Sequence, residues 1–185
     1  MQVVIIGGGW SGCAAALTAV KSGAETTLIE RTDLLLGVGL EAGRMGGNGR
    51  ITVLEEASAM GGGELFEITR LTATYDHVDY FGVEGVYLYD VTRIEPVVRS
   101  LLKRSGVNLR MRCRVTEVVK EGDRIRGVVL PEGEVLEGAA FVDATGTAGP
   151  QAACNRHGNG CVMCVNRCPQ YGNRVSIAAK AGVKE

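Results

Sequence analysis

The sequence has no basic excess. Its 20 Lys and Arg face 21 Asp and Glu, for a formal net charge of −1, whereas a nucleic-acid-binding surface needs a positive footprint to neutralise phosphates. No apolar run is long enough to span a bilayer. The chain opens at once on a strand-like QVVIIGGG, without a basic n-region or a cleavage site. The cysteines fall in C-x2-C spacing, so the expectation is a cytoplasmic protein whose thiols serve metal before disulfides. Histidine is almost missing, with 2 in 185 residues. His77 is not expected to be a catalytic base, and His157 reads as a loop residue, with tuning or replacing a metal ligand as the alternative.

What is present is an ordinary globular composition, 45% hydrophobic and 22% charged, in a length that suits one domain with a real core. Glycine is the exception. The 27 glycines cluster at 7–9, 46–49 and 61–63 with no repeat, a pattern of tight backbone approaches to a ligand.

The first cluster carries the strongest signal. Gln2 to Ile6 is a β-branched run, as a buried parallel strand should be. Gly7, Gly9 and Gly12 then fit G-x-G-x-x-G, with Trp10 and Ser11 inside the motif. An alanine-rich helix follows over Cys13 to Lys21, Gly23 stops it, and a second strand runs from Thr26 to Ile29 into Glu30. Each part has a physical job. Gly7 lets the chain turn, and Gly9 lets the backbone approach a pyrophosphate. Gly12 lets the helix lie close to the sheet, and the helix N-terminus offers free N–H groups to phosphate. Glu30 lies 18 residues beyond Gly12, close to the spacing expected for a carboxylate that accepts from ribose hydroxyls and disfavours a 2′-phosphate. Cys13 reads as a small buried residue.

The middle of the chain is less explicit. Leu34 to Arg50 is too glycine-rich for a regular element, and reads either as a wrap around a cofactor or as a surface loop. Ile51 to Met60 and Glu64 to Leu71 look helical, and Tyr75, Tyr80, Tyr87 and Tyr89 follow as packing residues, with the lining of a substrate pocket as the alternative. Asp90 to Ser105 is an amphipathic helix with Thr92 and Glu95 resembling a capping box. Val107 to Arg112 is strand-like. Val115 to Val119, Ile125 to Leu130 and Glu134 to Glu137 read as an antiparallel meander, and Phe141 to Ala144 as another buried strand.

Together, GGGWSG with Glu30, the elements from Asp90 to Leu130, and VDATGTAGP at 142–150 resemble the FAD-dependent oxidoreductases of the glutathione-reductase-like superfamily. The resemblance covers roughly the first 150 residues. It implies an α/β, Rossmann-like FAD-binding domain over 1–150, with a parallel sheet, an antiparallel β-meander and a helical and aromatic insertion at about 51–89. A cysteine-rich cluster loop and C-terminal segment fill 151–185. Carried over by position, Gly7, Gly9 and Gly12 would hold the pyrophosphate, with Trp10 and Ser11 between them. Glu30 would hold the adenosine ribose with Arg31 beside it. Val115 would lie at the adenine, Thr145 and Gly146 would make a second cofactor contact, and Arg44, Gly47 and Asn48 would lie nearer the isoalloxazine ring. Members of this family usually continue into a substrate domain, which implies either a piece of a longer chain or a separate subunit; of the two, an obligate second subunit completing the flavin site is expected.

The cysteines Cys154, Cys161, Cys164 and Cys168, followed by Pro169, give C-x6-C-x2-C-x3-C-P. The last three ligands match part of a bacterial ferredoxin run, so a [4Fe-4S] cluster is expected. Tetrahedral zinc uses the same C-x2-C pairs and ranks below it. A redox disulfide between Cys161 and Cys164 stays open, although Cys154 and Cys168 are then surplus. The expected function is a redox subunit passing electrons between FAD and the cluster, with a ferredoxin-like carrier as possible partner. The alternatives are a non-catalytic cofactor-binding or assembly subunit and a zinc-stapled flavoprotein. No side chain stands out as a substrate acid or base.

Overall fold

The computed structural model describes residues 1–42, 44–45, 58–80, 83–146, 171–172 and 174–183. The parallel sheet holds β1 (Gln2–Ile6), β2 (Glu25–Ile29), β6 (Asn108–Arg110) and β10 (Ala140–Asp143) in the order β10-β1-β2-β6. Its register pairs Ile6 with Ile29 on one side and with Asp143 on the other, so three strand ends finish level.

β1 is buried on both faces, which explains its unbroken apolar run. Val3 and Ile5 face a core built with α1 (Trp10–Lys21) and α4 (Val91–Arg104), while Val4 and Ile6 face a second core with Val115, Val128 and Leu130. That second core lies under the meander β7 (Glu117–Glu121), β8 (Arg124–Val129) and β9 (Val135–Glu137). The strand alternation therefore places helices on one face of the sheet and the expected meander on the other.

The segment 34–89 departs from the sequence reading. The glycine-rich stretch contains a short helix, α2 (Val38–Ala42), and a two-residue strand, β3 (Arg44–Met45). The insertion is not simply helical. After α3 (Gly63–Leu71) come β4 (Ala73–Tyr80) and β5 (Val83–Tyr89), which form a second sheet in the order β3-β5-β4. Tyrosines and β-branched residues suit a pleated surface better than a helix once a partner strand is available. Tyr87 and Tyr89 are buried and Tyr75 is exposed. Gly61 at φ 100° breaks the turn Ser58–Gly62 just ahead of α3, and the remainder of the helix expected at 51–60 lies outside the described residues.

The N-terminus of α4 is also corrected. Asp90 is the cap: its carboxylate accepts from the Thr92 N–H at 2.8 Å and hydroxyl at 2.6 Å. Glu95 is thereby free for a different task. Among the described residues, no helix is long and apolar enough to cross a membrane.

Candidate functional site

The level ends of β1, β2 and β10 open onto one cavity of about 550 Å³. Gly7 makes the turn out of β1 at φ 104°, its N–H donating to the Ile29 carbonyl at 2.8 Å. A Cβ on Gly7 would sit 2.3 Å from the Ala144 carbonyl oxygen, and one on Gly12 would sit 1.8 Å from the Gly7 carbonyl oxygen. These glycines let strand, turn and helix interlock. Gly9 differs, because nothing lies within 4 Å of where its Cβ would stand. It is the N-cap of α1 without a side-chain cap, and it borders the cavity. The first-turn N–H groups of α1 have no intrahelical acceptor, and their dipole end favours an anion. Open space at Gly9 and the helix-terminal donors beside it fit a diphosphate.

Glu30 is buried and works first as a rivet of this turn. One carboxylate oxygen accepts from the Gly8 N–H at 2.7 Å and the other from the Thr32 N–H at 2.8 Å. Each oxygen keeps a further lone pair, and the residue borders the cavity, where a ribose hydroxyl can use it.

A clasp over the turn comes from the start of the Leu34 to Arg50 stretch, whose residues Leu34 to Leu40 line the cavity. The Leu36 N–H donates to the Gly8 carbonyl at 2.7 Å, and Leu36 bridges Gly9 in parallel fashion. Leu36 is fully buried yet adopts φ 71°, a conformation that costs a branched residue about 1–3 kcal/mol unless its surroundings impose it. Here they do. The buried Glu95 carboxylate accepts from the Leu35 N–H at 3.0 Å and from Arg99 Nε at 2.9 Å, and Arg99 Nη2 donates to the Asp33 carbonyl at 2.6 Å. Helix α4 thus holds the segment that holds the glycine turn.

Trp10 forms another wall. Its ring stacks on Phe66 at 6.1 Å and meets Tyr89 edge-on at 6.0 Å. Its indole N–H donates to the Tyr89 hydroxyl at 3.3 Å, which donates to the Gly39 carbonyl at 2.6 Å. Burial pushes the Tyr89 hydroxyl pKa up, and the Trp10 hydrogen bond opposes that only partly. A Cβ at Gly39 would lie 2.3 Å from the indole nitrogen, so glycine is required for this approach.

Of the residues carried over from the sequence, Gly7, Gly9, Trp10, Ser11 and Glu30 line this cavity, as do Arg31, Val115, Thr145 and Gly146. Gly12 does not; it sits behind Gly7 as a packing residue. Arg44 lies in β3, while Gly47, Asn48 and the four clustered cysteines lie outside the described residues. Arg114, Arg174 and Val175 also line the cavity, without any local motif that announces them. Cys13 is fully buried, its thiol donating to the Gly8 carbonyl at 3.4 Å, and burial pushes its pKa well above the ordinary thiol value. Among the described residues, no group of three or more His, Cys, Asp or Glu is placed to hold a metal ion.

Comparison with known proteins gives a consistent picture. The family model described as FAD dependent oxidoreductase matches residues 2–154. A thiamine thiazole synthase from Pyrococcus horikoshii is 28% identical over 149 residues, covering 77% of this chain and 52% of that protein. The chain thus spans about half the length of the curated relatives it matches. Among solved structures, THI4 of Thermovibrio ammonificans superposes with a TM-score of 0.57 at 23% identity, over 78% of this chain and 56% of that one. GidA of Aquifex aeolicus gives 0.60 at 21%, over 76% of this chain and 24% of that one. At such identities these two likenesses show the fold alone.

Proposed function

The chain belongs to the FAD dependent oxidoreductase family, and from that premise we propose that it is the cofactor-binding part of a redox enzyme in which FAD exchanges electrons with a [4Fe-4S] cluster on Cys154, Cys161, Cys164 and Cys168. The observation that carries the flavin half is the open face of Gly9 at the head of α1, inside a cavity that also gathers Glu30, Val115 and Thr145. In this reading, the α1 N-terminus binds diphosphate, Glu30 accepts from the ribose, and Trp10 with the Leu36 clasp keeps the turn rigid and water out. The bound flavin supplies the interchange between two-electron and one-electron steps.

The cluster half is supported by the ferredoxin-like spacing of the cysteines. It is also supported by the chain on either side of them, since Thr145 and Gly146 before the stretch and Arg174 and Val175 after it all border the same cavity. A second subunit and a ferredoxin-like carrier belong to this proposal, and co-purification tests them.

Anaerobic purification with iron, sulfide, zinc and flavin analysis is the direct experiment. Cys164→Ala is expected to abolish bound iron and leave FAD in place. Full iron content in that variant, or zinc in place of iron in the wild type, would defeat the cluster assignment. A protein that takes up no added FAD would defeat the flavin assignment. The thiamine thiazole synthase relatives favour a second reading, in which the same cavity serves thiazole synthesis; detection of a thiazole product separates it from the first.

A further inference from the structure

Downstream of the cysteine-rich stretch the chain returns to the cofactor cavity, and one carboxylate ties it there. Asp143 is the last residue of β10. Its Oδ1 accepts from the Thr145 N–H at 3.1 Å and hydroxyl at 2.6 Å. Its Oδ2 accepts from the Ser176 hydroxyl at 2.7 Å and the Ala178 N–H at 3.0 Å. Ser176 is buried and in turn caps the short helix α5 (Ile177–Lys180), its oxygen accepting from the Ala179 N–H at 3.1 Å. Ile177 inserts into the same apolar cluster as Val115. Arg31 donates to the Gly172 carbonyl, and Gly172, at φ 81°, is so close to Arg114 that a Cβ there would lie 2.8 Å from Nη1.

Gly172 is therefore held by Arg31, and the strap from Arg174 to Val183 packs through Ile177 beside Val115; Arg31 and Val115 are the residues at the adenosine side if the cavity holds FAD. Thr145, which Asp143 binds, and Arg174 and Val175, which directly precede the Ser176 it binds, border the cavity.

The structure assigns Asp143 as a positioning residue for the adenosine side of this cavity: one carboxylate locks the C-terminal strap to the strand end, and nucleotide binding is coupled to that lock. The inference rests on the FAD reading above. It identifies a wall of the site that the glycine fingerprint does not contain. Asp143→Asn is a selective probe. With its carbonyl toward Thr145, its amide nitrogen can donate to the Ser176 oxygen but cannot accept from the Ala178 N–H, so the strap is loosened while the strand end is kept.

The experiment is a flavin-fluorescence titration of FAD into the wild type, Asp143→Asn and Ser176→Ala, with amide hydrogen exchange followed over residues 2–17 and 171–183. In the wild type, FAD is expected to slow exchange in both segments. In Asp143→Asn the FAD dissociation constant should rise about tenfold, as expected for hydrogen bonds to a charged group. Protection over 2–17 should persist at saturating FAD and protection over 171–183 should be lost. Ser176→Ala, which keeps the Ala178 bond, should shift the same way by less. Wild-type FAD affinity in Asp143→Asn overturns the inference. So does a wild type in which FAD protects 2–17 and leaves 171–183 unchanged, which needs no variant to fold. A wild type that binds no FAD and shows no protection anywhere overturns the flavin reading itself, and the inference with it.

Discussion

Replacing Glu95 tests whether helix α4 governs the glycine turn. Glu95 is 5% exposed and accepts from Leu35 N–H and from Arg99. In Glu95→Ala the Leu35 N–H becomes a buried donor without an acceptor, costing about 1–3 kcal/mol. Arg99 loses its carboxylate, and breaking a fully buried pair costs about 3–5 kcal/mol. The Arg99 side chain is 28% exposed and keeps the Asp33 carbonyl, so that second cost is screened. The sum is about 3–4 kcal/mol, or roughly 10 °C in Tm for a chain of this size. Glu95→Gln keeps an acceptor for Leu35 and gives up only the charge, so it should cost about 1–2 kcal/mol. Urea denaturation of both variants gives the two values. A loss below about 1 kcal/mol in the alanine variant, or equal losses in the two, refutes the reasoning. FAD affinity should fall in the same order, because Leu36 loses the support that holds the Gly8 carbonyl.

Gly12→Ala adds a residue that helices prefer, yet its Cβ would meet the Gly7 carbonyl at 1.8 Å. The clash should win, with about 1–3 kcal/mol lost in denaturation and weaker FAD binding; a more stable variant contradicts the packing. At Asp143, burial pushes the carboxyl pKa up, but hydrogen bonds from Ala178, Thr145 and Ser176 outweigh it and hold the group below its ordinary value. The folded value is the depressed one, so its stabilisation is present above the unfolded aspartate value and lost as pH falls below about 4. Urea midpoints against pH should show a steeper acid loss for the wild type than for Asp143→Asn; parallel profiles would argue against the assignment. Cys13, buried with its pKa raised, should resist maleimide in the native protein and react on unfolding, as mass spectrometry of labelled peptides will show.

The fingerprint was legible because each of its demands is local. Gly7, Gly9 and Gly12 mark a turn, an approach and a packing contact, and the strand before and helix after follow from composition and period. The meander was legible for a similar reason, as Glu121 to Asp123 joins two alternating runs. Thr92 and Glu95 were misread because a capping box and a buried clamp look alike along the chain. Asp90 stands equally well placed to cap, and only packing reveals that Glu95 turns inward to Leu35. The β4–β5 pair was missed because strand pairing is a contact between segments, and β4 alone carries no sign of its partner.

By itself, the sequence determined that strand, glycine turn, helix and acid succeed one another at dinucleotide spacing, since backbone conformation and helix dipole are short-range properties. It also placed four thiols within fifteen residues of chain. Only the tertiary structure decided that Glu30 rivets the turn by accepting from Gly8, and that Glu95 supports Leu36 at φ 71°. It alone brought Arg174 and Val175 back to the cavity through Asp143. Those contacts join residues from 22 to 60 positions apart, and their strength comes from burial, which no single segment possesses until the sheet, helices and strap have closed around it.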